Sequence, residues 1–341
     1  MSAVRTGVIG VGALGFHHAR ILRELDGSTL VGVHDSDPVR LAEVGASLNV
    51  PTFADAGELL DQVDACVIAV PTQAHERAAL EALSRGVHLL IEKPIAPSLE
   101  AADRILAAAE AAKAVVQIGH VERFNGAVRA CEQWLDDPLF VESHRLAPFN
   151  PRGIDVAVVL DLMIHDLDLV LSIMKRPVVS LAAVGVPVLT HSPDIANARL
   201  EFEGGGVANL TASRVSMKRE RKIRFFQRSG YISLDLAAGT GEFLRLRPGV
   251  DVGARLAALA AGADAGNGEA PVAAGLLEIV ERIPLAGDGV EPLRAELASF
   301  LTAVRGDGAV AVSGADGRRA LAVALDIVER MRTHVTDRET A

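Results

Sequence analysis

A chain of 341 residues exceeds the size of most single hydrophobic cores, so we expect two domains. Its net charge of −10 argues against a broad nucleic-acid surface, because phosphate binding needs a basic stripe. No apolar run reaches the ~20 residues of a membrane span, no signal peptide is evident, and the two cysteines provide no disulfide framework. We therefore expect a cytoplasmic protein.

The first predicted element is a short strand that ends at Ile9 and leads into a glycine-rich turn. Three glycines follow in G-x-G-x-x-G spacing, and a helix is predicted over residues 16–25. Such a turn lets the backbone approach a pyrophosphate, and the helix N-terminus supplies N–H groups to the phosphates. We predict a dinucleotide site of the Rossmann type, with cofactor contacts at Gly10, Gly12, Ala13, Leu14 and Gly15.

The second predicted strand, over residues 30–34, ends at Asp35, twenty residues after Gly15. A Rossmann domain places at about this distance the carboxylate that binds the adenosine ribose hydroxyls. Because a carboxylate there disfavours a 2′-phosphate, NAD is the expected cofactor. Arg40, on the next predicted helix, could reach the same place and keeps NADP open as the alternative.

Strands and helices continue to alternate as far as Gly119, which predicts a parallel sheet covered by helices on both faces. Further strands are predicted at residues 50–53, 65–70, 87–91 and 115–119, and further helices at 54–60, 73–85 and 99–113. Ligands of such sheets bind outside the carboxyl ends of the strands. Pro71, Thr72 and His75 follow the fourth strand and are therefore predicted to line the cofactor site.

Glu92, Lys93 and Pro94 follow the fifth predicted strand directly and are the first residues that indicate chemistry. A lysine at the nicotinamide crevice can donate a hydrogen bond to a substrate oxygen, and partial burial can lower its pKa. We place Glu92 and Lys93 at the cofactor and expect Lys93 to take part in catalysis. The alternative is a surface lysine that pairs with Glu92.

A predicted amphipathic helix over residues 156–174 carries Asp161 and His165 four positions apart, on one face. A carboxylate beside an imidazole orients the ring and raises its pKa. Such a histidine can take a proton from an alcohol while hydride leaves the same carbon. The alternative is an exposed pair on a helix whose other acidic residues, Asp166 and Asp168, are solvated.

Together, the glycine turn, the Thr-bearing segment before His75 and Glu92-Lys93-Pro94 resemble the glucose–fructose oxidoreductase / inositol dehydrogenase / rhizopine-catabolism (Gfo/Idh/MocA) oxidoreductase family. The resemblance implies an α/β fold: an N-terminal Rossmann domain with a doubly wound parallel sheet (1–122), and a C-terminal α+β domain (123–341). The second domain would carry a large, mostly antiparallel sheet, the substrate site and a homodimer or homotetramer interface. The closing helix (314–332) would lie near the Rossmann domain.

The resemblance also implies that Lys93, Asp161 and His165 are the catalytic residues. His165 would be the general base, Lys93 the donor to the hydroxyl oxygen and Asp161 the orienting carboxylate. Within the family, residues 119–125, 143–148, 161–166 and 211–214 resemble the branch that contains UDP-N-acetylglucosamine 3-dehydrogenases. Those enzymes oxidise the sugar 3-hydroxyl to a ketone, the precursor of the 3-amino sugar of some lipid A.

The implied activity is therefore NAD-dependent oxidation of a sugar or nucleotide-sugar alcohol. The candidate substrate-binding residues are His120, Arg123, Asn125, Arg145 and Arg214. A free polyol or aldose, such as inositol or glucose, is the alternative substrate. A cofactor-binding regulator without catalysis is the alternative of a different class.

The second half of the chain reads as strands joined by turns, which favours an antiparallel sheet with one buried face. These strands are predicted at residues 139–145, 178–186, 196–202, 207–213, 223–227 and 231–236. Between them lies a cluster of cations at Arg214, Lys218, Arg219, Arg221, Lys222 and Arg224. The cluster is either a solvated loop or an anion-binding loop for a phosphate-bearing substrate.

The last part of the chain begins with an alanine- and glycine-rich stretch over residues 244–277, predicted to be a flexible or inserted loop. The sequence indicates no role for its central part, residues 249–275. A returning strand is predicted at 278–285 and closing helices at 292–304 and 314–332. Because no His, Cys, Asp or Glu group has zinc spacing, we predict no metal site and assign the chemistry to the nicotinamide.

Overall fold

The alternating first third of the chain folds into a six-stranded parallel sheet. The computed structural model describes residues 3–150, 156–264 and 279–339. The strand order β3-β2-β1-β4-β5-β6 is that of a Rossmann domain, which confirms the predicted fold of this part. The strands are β1 (Val4–Ile9), β2 (Ser28–His34), β3 (Thr52–Phe53), β4 (Ala65–Ile68), β5 (His88–Glu92) and β6 (Val116–Gly119).

Three of the five helices of this part begin where a short polar side chain accepts hydrogen bonds from free backbone N–H groups. Asp37 accepts from the N–H groups of Val39 and Arg40, and Ser98 accepts from Ala101. The helix predicted over residues 73–85 begins instead with a 3₁₀ turn, Thr72–Ala74. The helices are α1 (Ala13–Glu24), α2 (Pro38–Leu48), α3 (Ala56–Leu60), α4 (His75–Leu83) and α5 (Leu99–Ala112).

The second half forms an eight-stranded sheet in the order β14-β13-β12-β11-β7-β10-β9-β8. Every neighbouring pair is antiparallel except β7 with β10, as predicted for a mostly antiparallel sheet. The strands are β7 (Phe140–Leu146), β8 (Val178–Val186), β9 (Ile195–Phe202), β10 (Val207–Ser213), β11 (Glu220–Gln227), β12 (Gly230–Asp235), β13 (Thr240–Leu246) and β14 (Val280–Ala286).

Two features of this half differ from the prediction. The stretch predicted as a loop from residue 244 begins inside β13 and continues into helix α8 (Val252–Asp264), because alanine is the strongest helix former. Residues 265–277, the rest of that stretch, lie outside the described part. A short helix, α6 (Gly126–Cys131), was not predicted.

One face of the second sheet is buried under α7 (Ile164–Met174) and α10 (Gly314–Glu339). Alternate residues of its strands point into this core, which includes Phe202 and Phe225. The opposite face carries the more exposed side chains. Within the described ranges, every helix is too short or too polar to span a lipid bilayer.

The closing helices return to the first sheet. Helix α9 (Pro292–Val304) packs Leu297 and Phe300 into the cluster that also contains Ile21 of α1. Helix α10 places Leu321 in the core of the parallel sheet and Ile327 in the core of the second sheet. The chain thus crosses between the two sheets more than once.

Candidate active site

The glycine turn after β1 is shaped by contacts that exclude larger residues. Gly10 has φ of +87°, and a Cβ there would lie 2.7 Å from the backbone of Ala69. A Cβ on Gly15 would lie 1.8 Å from the carbonyl oxygen of Gly10, so helix and strand could not approach as closely. At Gly12 nothing lies within 4 Å of the Cβ position. The turn therefore keeps open space in front of the N-terminus of α1.

A cavity of about 600 Å³ occupies this space, at the carboxyl ends of β1 and β4. It is the switch point of the sheet, where strand order reverses and nucleotides bind. Predicted cofactor residues that line it are Gly10, Gly12, Ala13, Leu14, Asp35 and Pro71. The open cradle and the free helix N-terminus fit a dinucleotide.

Asp35 is held at the rim of the cavity by two backbone N–H groups. Its Oδ2 accepts a hydrogen bond from Val11 N at 2.7 Å, and its Oδ1 accepts from Asp37 N at 2.9 Å. Arg40 reaches the same rim, where its Nε donates to the carbonyl oxygen of Val11 at 2.8 Å. The carboxylate that would bind a ribose and the cation that could accept a 2′-phosphate thus lie side by side.

His75 does not line the cavity, and its contact with the cofactor stays a prediction. Its ring is 1% exposed, with Nδ1 3.0 Å from the carbonyl oxygen of Pro94 and Nε2 2.9 Å from that of Val70. Burial lowers its pKa. A buried imidazole needs hydrogen-bond partners, and here they join the ends of β4 and β5. Thr72 also does not line the cavity.

Lys93 is a largely buried lysine whose ammonium points to the second half of the chain. Its Nζ donates to the main-chain carbonyl oxygen of Asp161 at 2.7 Å and lies 3.8 Å from Asp161 Oδ1. Burial lowers the pKa of Lys93, while the charge of Asp161 opposes that shift. With 12% of its side chain exposed, Lys93 does not fit the alternative of a surface residue.

Glu92 supports the lysine from behind instead of facing the cavity. One carboxylate oxygen lies 2.7 Å from Nε2 of His18, a residue that the sequence analysis missed, and the other accepts from Lys93 N at 3.2 Å. Burial would raise the pKa of Glu92, but the hydrogen bond with His18, the charge of Lys93 and the Lys93 N–H outweigh it, so the pKa is lowered. Glu92 therefore stays ionised under the Lys93 backbone.

The segment that carries Asp161 is a π-helical turn, Val159–Met163, and α7 begins only at Ile164. The prediction of one continuous α-helix was therefore wrong at this point. Apolar periodicity does not distinguish a single π turn from an α turn, and π turns are frequent at functional sites. The turn places both the carbonyl and the carboxylate of Asp161 beside Lys93.

His165 follows at the start of α7, and its surroundings are cationic. Burial, and then the charges of Lys93, Arg145, His120 and Arg221, lower its pKa well below the usual value. The expected rise of the His165 pKa through Asp161 was therefore wrong, because the Asp161 carboxylate faces Lys93. The ring is neutral at neutral pH, and its buried Nδ1 has no hydrogen-bond partner in the described structure.

Two of the predicted substrate-binding arginines form ion pairs with buried carboxylates. Arg145 donates to both oxygens of Asp166, at 3.0 and 2.7 Å, and to Glu122 at 3.0 Å. Arg123 binds both oxygens of Asp168, at 2.5 and 2.8 Å. Buried charges must be paired in this way, and Asp166 and Asp168 are thus buried rather than solvated.

The other predicted substrate-binding residues also have internal surroundings. Asn125 caps α6 and donates to the carbonyl oxygen of Leu236 at 2.8 Å. Arg214 donates to Asp194 at 3.0 Å, because both are buried and need a partner. His120 is 1% exposed, and neither ring nitrogen has a partner in the described structure. Arg123, Asn125, Arg145 and Arg214 thus all have internal partners, and their contact with a substrate stays a prediction.

One further buried polar residue, Glu296, was not indicated by the sequence. Glu296 of α9 is fully buried with both carboxylate oxygens unpartnered, and burial raises its pKa well above the usual value. In the sequence, the only sign of this buried carboxylate is a charged residue within the apolar pattern of a predicted helix. Among the described residues, no three His, Cys, Asp or Glu side chains are grouped to hold a metal ion.

Known families and proteins match the chain over most of its length. Residues 4–120 match the model of an oxidoreductase family with an NAD-binding Rossmann fold, and residues 111–233 match the GFO/IDH/MocA C-terminal domain. UDP-N-acetylglucosamine 3-dehydrogenase from Acidithiobacillus ferrooxidans is 38% identical over 328 residues, which cover 96% of this chain and 97% of that protein. An inositol 2-dehydrogenase from Ralstonia nicotianae is 32% identical over 48% of this chain and 52% of its own.

Solved structures agree with these matches. UDP-N-acetylglucosamine 3-dehydrogenase GnnA from Acidithiobacillus ferrooxidans superposes with a TM-score of 0.84 and 36% identity, over 98% of this chain and 99% of that one. Scyllo-inositol dehydrogenase from Lactobacillus casei, solved with bound NAD(H) and scyllo-inositol, gives a TM-score of 0.76 at 18% identity, over 98% of both chains. The second likeness concerns the fold alone.

Proposed function

The chain belongs to the Gfo/Idh/MocA family of NAD-binding oxidoreductases, and from that premise we propose that it oxidises the 3-hydroxyl of UDP-N-acetylglucosamine to a ketone. The observation that carries this choice of substrate is the similarity to a UDP-N-acetylglucosamine 3-dehydrogenase over nearly the full length of both proteins. The convergence of Lys93, Asp161 and His165 from two parts of the chain supports an alcohol dehydrogenase over a non-catalytic regulator.

We propose that Gly10, Gly12 and Asp35 hold the cofactor. Gly12 leaves room for the pyrophosphate in front of α1, and Asp35 presents a fixed carboxylate to the adenosine ribose. NAD, when bound, supplies the acceptor for a hydride from the carbinol carbon. We assign Ala13, Leu14 and Pro71 to the walls of the same cavity.

Lys93 and His165 act on different atoms of the substrate hydroxyl group. The Lys93 ammonium donates a hydrogen bond to the hydroxyl oxygen and stabilises the negative charge that develops there. Neutral His165 accepts the hydroxyl proton, for which its lowered pKa keeps a ring nitrogen free at neutral pH. Asp161 positions Lys93 through its carbonyl oxygen and balances its charge. The hydroxyl proton thus leaves to His165 as the hydride leaves the carbon.

A free polyol such as inositol is the alternative substrate, supported by inositol dehydrogenases that match about half of this chain. Incubation of the protein with NAD and UDP-N-acetylglucosamine, inositol or glucose, with NADH absorbance as the readout, separates the two. We expect the nucleotide sugar to give the highest kcat/KM. A free sugar or polyol with a higher kcat/KM would contradict the proposal.

We further propose domains at residues 1–122 and 123–341, and assembly as a homodimer or homotetramer through the open face of the second sheet. Val184 and Val186 on the edge strand β8 alternate to the face opposite buried Leu181 and are 43% and 47% exposed, which supports a covered face in the assembly. Light scattering of the purified protein measures the assembly, and a monomer would exclude it. Buried free thiols at Cys66 and Cys131 support action in the cytoplasm.

A further inference from the structure

Arg221, on strand β11, lies directly beside a second arginine. In the antiparallel pair of β11 and β7, Arg221 is opposite Arg145, so both side chains lie on the same face of the sheet. This is the face that α7 covers, and the charge of Arg221 acts on His165 at the start of that helix. The strand register therefore places a second guanidinium next to the candidate active site.

The two arginines differ in their partners. Arg145 is 4% exposed and saturated by Asp166 and Glu122. Arg221 is 42% exposed and lies 3.7 Å from Glu122 Oε1, the same oxygen that Arg145 already binds at 3.0 Å. Within the described residues, no hydrogen bond from the Arg221 guanidinium is found.

The electrostatic surroundings of Arg221 favour an added negative charge. Burial and the neighbouring charge of Arg145 lower its pKa, which means that its cationic form is held at a cost. An anion in contact with Arg221 would remove that cost, whereas a neutral ligand would not. A guanidinium with free N–H groups binds phosphate oxygens in pairs, which an ammonium cannot do.

The other cations of β11 do not share this position. Lys222 and Arg224 alternate to the opposite face of the sheet, where Arg224 donates to Glu142 at 3.1 Å. The cation cluster of the sequence is therefore split between two faces, and Arg221 is on the side of His165.

We propose that Arg221 binds the diphosphate of the nucleotide-sugar substrate and so selects phosphorylated sugars over free polyols. The identity of the substrate in this proposal rests on the proposed function. The proposal adds a residue that determines substrate specificity at that site. Because the contact is with a remote part of the substrate, it forms equally in the ground state and the transition state. Its loss should raise KM with little change in kcat.

The test compares Arg221→Ala with Arg221→Lys and with Lys222→Ala as the matched control, which removes one cation from the neighbouring residue on the other face. We expect Arg221→Ala to raise KM for UDP-N-acetylglucosamine about 10- to 100-fold, with kcat and the KM for NAD within about threefold of wild type. Arg221→Lys should be intermediate, and Lys222→Ala unchanged. A melting temperature close to that of wild type would exclude misfolding, since the substitution removes the repulsion from Arg145 together with the 3.7 Å contact to Glu122.

Binding of UDP by calorimetry gives a second readout that does not need turnover. Wild type and Lys222→Ala should bind UDP alike, and Arg221→Ala at least tenfold more weakly. Unchanged KM and UDP affinity in Arg221→Ala would overturn the assignment of Arg221 while leaving the proposed function intact. If the enzyme instead oxidises another sugar phosphate, and Arg221→Ala raises that KM, the assignment holds and the proposed substrate fails. If wild type does not bind UDP and Arg221→Ala leaves the KM of every phosphorylated sugar that it oxidises unchanged, the assignment of Arg221 is overturned.

Discussion

Lys93 Nζ donates to the main-chain carbonyl oxygen of Asp161 at 2.7 Å, and this bond joins the end of β5 to the π turn before α7. An ammonium has three N–H donors, so this contact leaves Lys93 able to donate to a substrate oxygen as well. Because the acceptor is a backbone carbonyl, the position of Lys93 depends on the path of the turn in addition to the Asp161 side chain.

Replacing Lys93 by methionine should remove the donor to the hydroxyl oxygen while preserving most of the buried volume. We expect kcat to fall about 10²- to 10⁴-fold, with the dissociation constant of NADH, measured by fluorescence, unchanged. Lys113→Met, at the end of α5, is the control and should keep full activity. Activity of Lys93→Met within tenfold of wild type would exclude the catalytic role.

The pH dependence of kcat/KM should report the lowered pKa of His165. A general base must be unprotonated, so activity falls as the pH drops through the pKa of the folded enzyme, and this acid limb should lie below pH 6.5. Since the charge of Arg221 contributes to the lowering, Arg221→Ala should move the limb to higher pH. His165→Asn should lose about 10²- to 10⁴-fold in kcat. An acid limb at or above pH 6.5 in wild type would contradict the electrostatic description.

Glu296 should make the protein less stable as the pH rises. Its pKa in the folded state is raised above 4.5 by burial, so the stability linked to it is present below 4.5 and is lost as the pH rises through the folded pKa. Glu296→Gln imitates the protonated carboxyl and should therefore melt at a higher temperature than wild type at about pH 8. The difference should shrink towards about pH 4. If Glu296→Gln melts at a lower temperature than wild type at both pH values, the ionised carboxylate stabilises the fold.

Two alanine substitutions in the glycine turn should separate folding from cofactor binding. Gly15→Ala places a Cβ 1.8 Å from Gly10 O and should lower the free energy of unfolding by about 3 kcal/mol or more. Gly12→Ala meets nothing within 4 Å, so it should fold normally but raise the KM for NAD by obstructing the pyrophosphate. Chemical denaturation and kinetics measure both. Equal stability of the two variants would contradict the packing of helix on strand.

Asp35→Asn should weaken the preference for NAD. The amide can still accept from Val11 N but carries no charge for the ribose hydroxyls, so the KM for NAD should rise about 10- to 100-fold. With the carboxylate neutralised, Arg40 becomes available to a 2′-phosphate, and the KM for NADP should fall. Asp35→Asn combined with Arg40→Ala should lose that gain. If Asp35→Asn leaves the ratio of the KM values for NAD and NADP unchanged, Asp35 does not contact the cofactor.

Local signals in the sequence were sufficient for the parallel sheet and its glycine turn. Strand β13 and helix α6 were missed because each is short and neither has strong periodicity. Asp166 and Asp168 have the local pattern of solvated residues, yet both are buried. They pair with Arg145 and Arg123, which are 21 and 45 positions away in the sequence. No local pattern carries such a pairing. The same limit applies to His165. The cations that lower its pKa come from distant parts of the chain, so the local pairing with Asp161 predicted the wrong direction of the shift.

The return of α9 and α10 to the first sheet sets an order in which this protein can be made. On the ribosome, the glycine turn and its sheet emerge first, with Ile21 and Leu89 still uncovered. Phe300 and Leu321, which belong to the same two apolar clusters, are synthesised more than two hundred residues later. The half that holds the nucleotide is thus begun first and completed last, so the two halves should unfold in one transition rather than as separable modules.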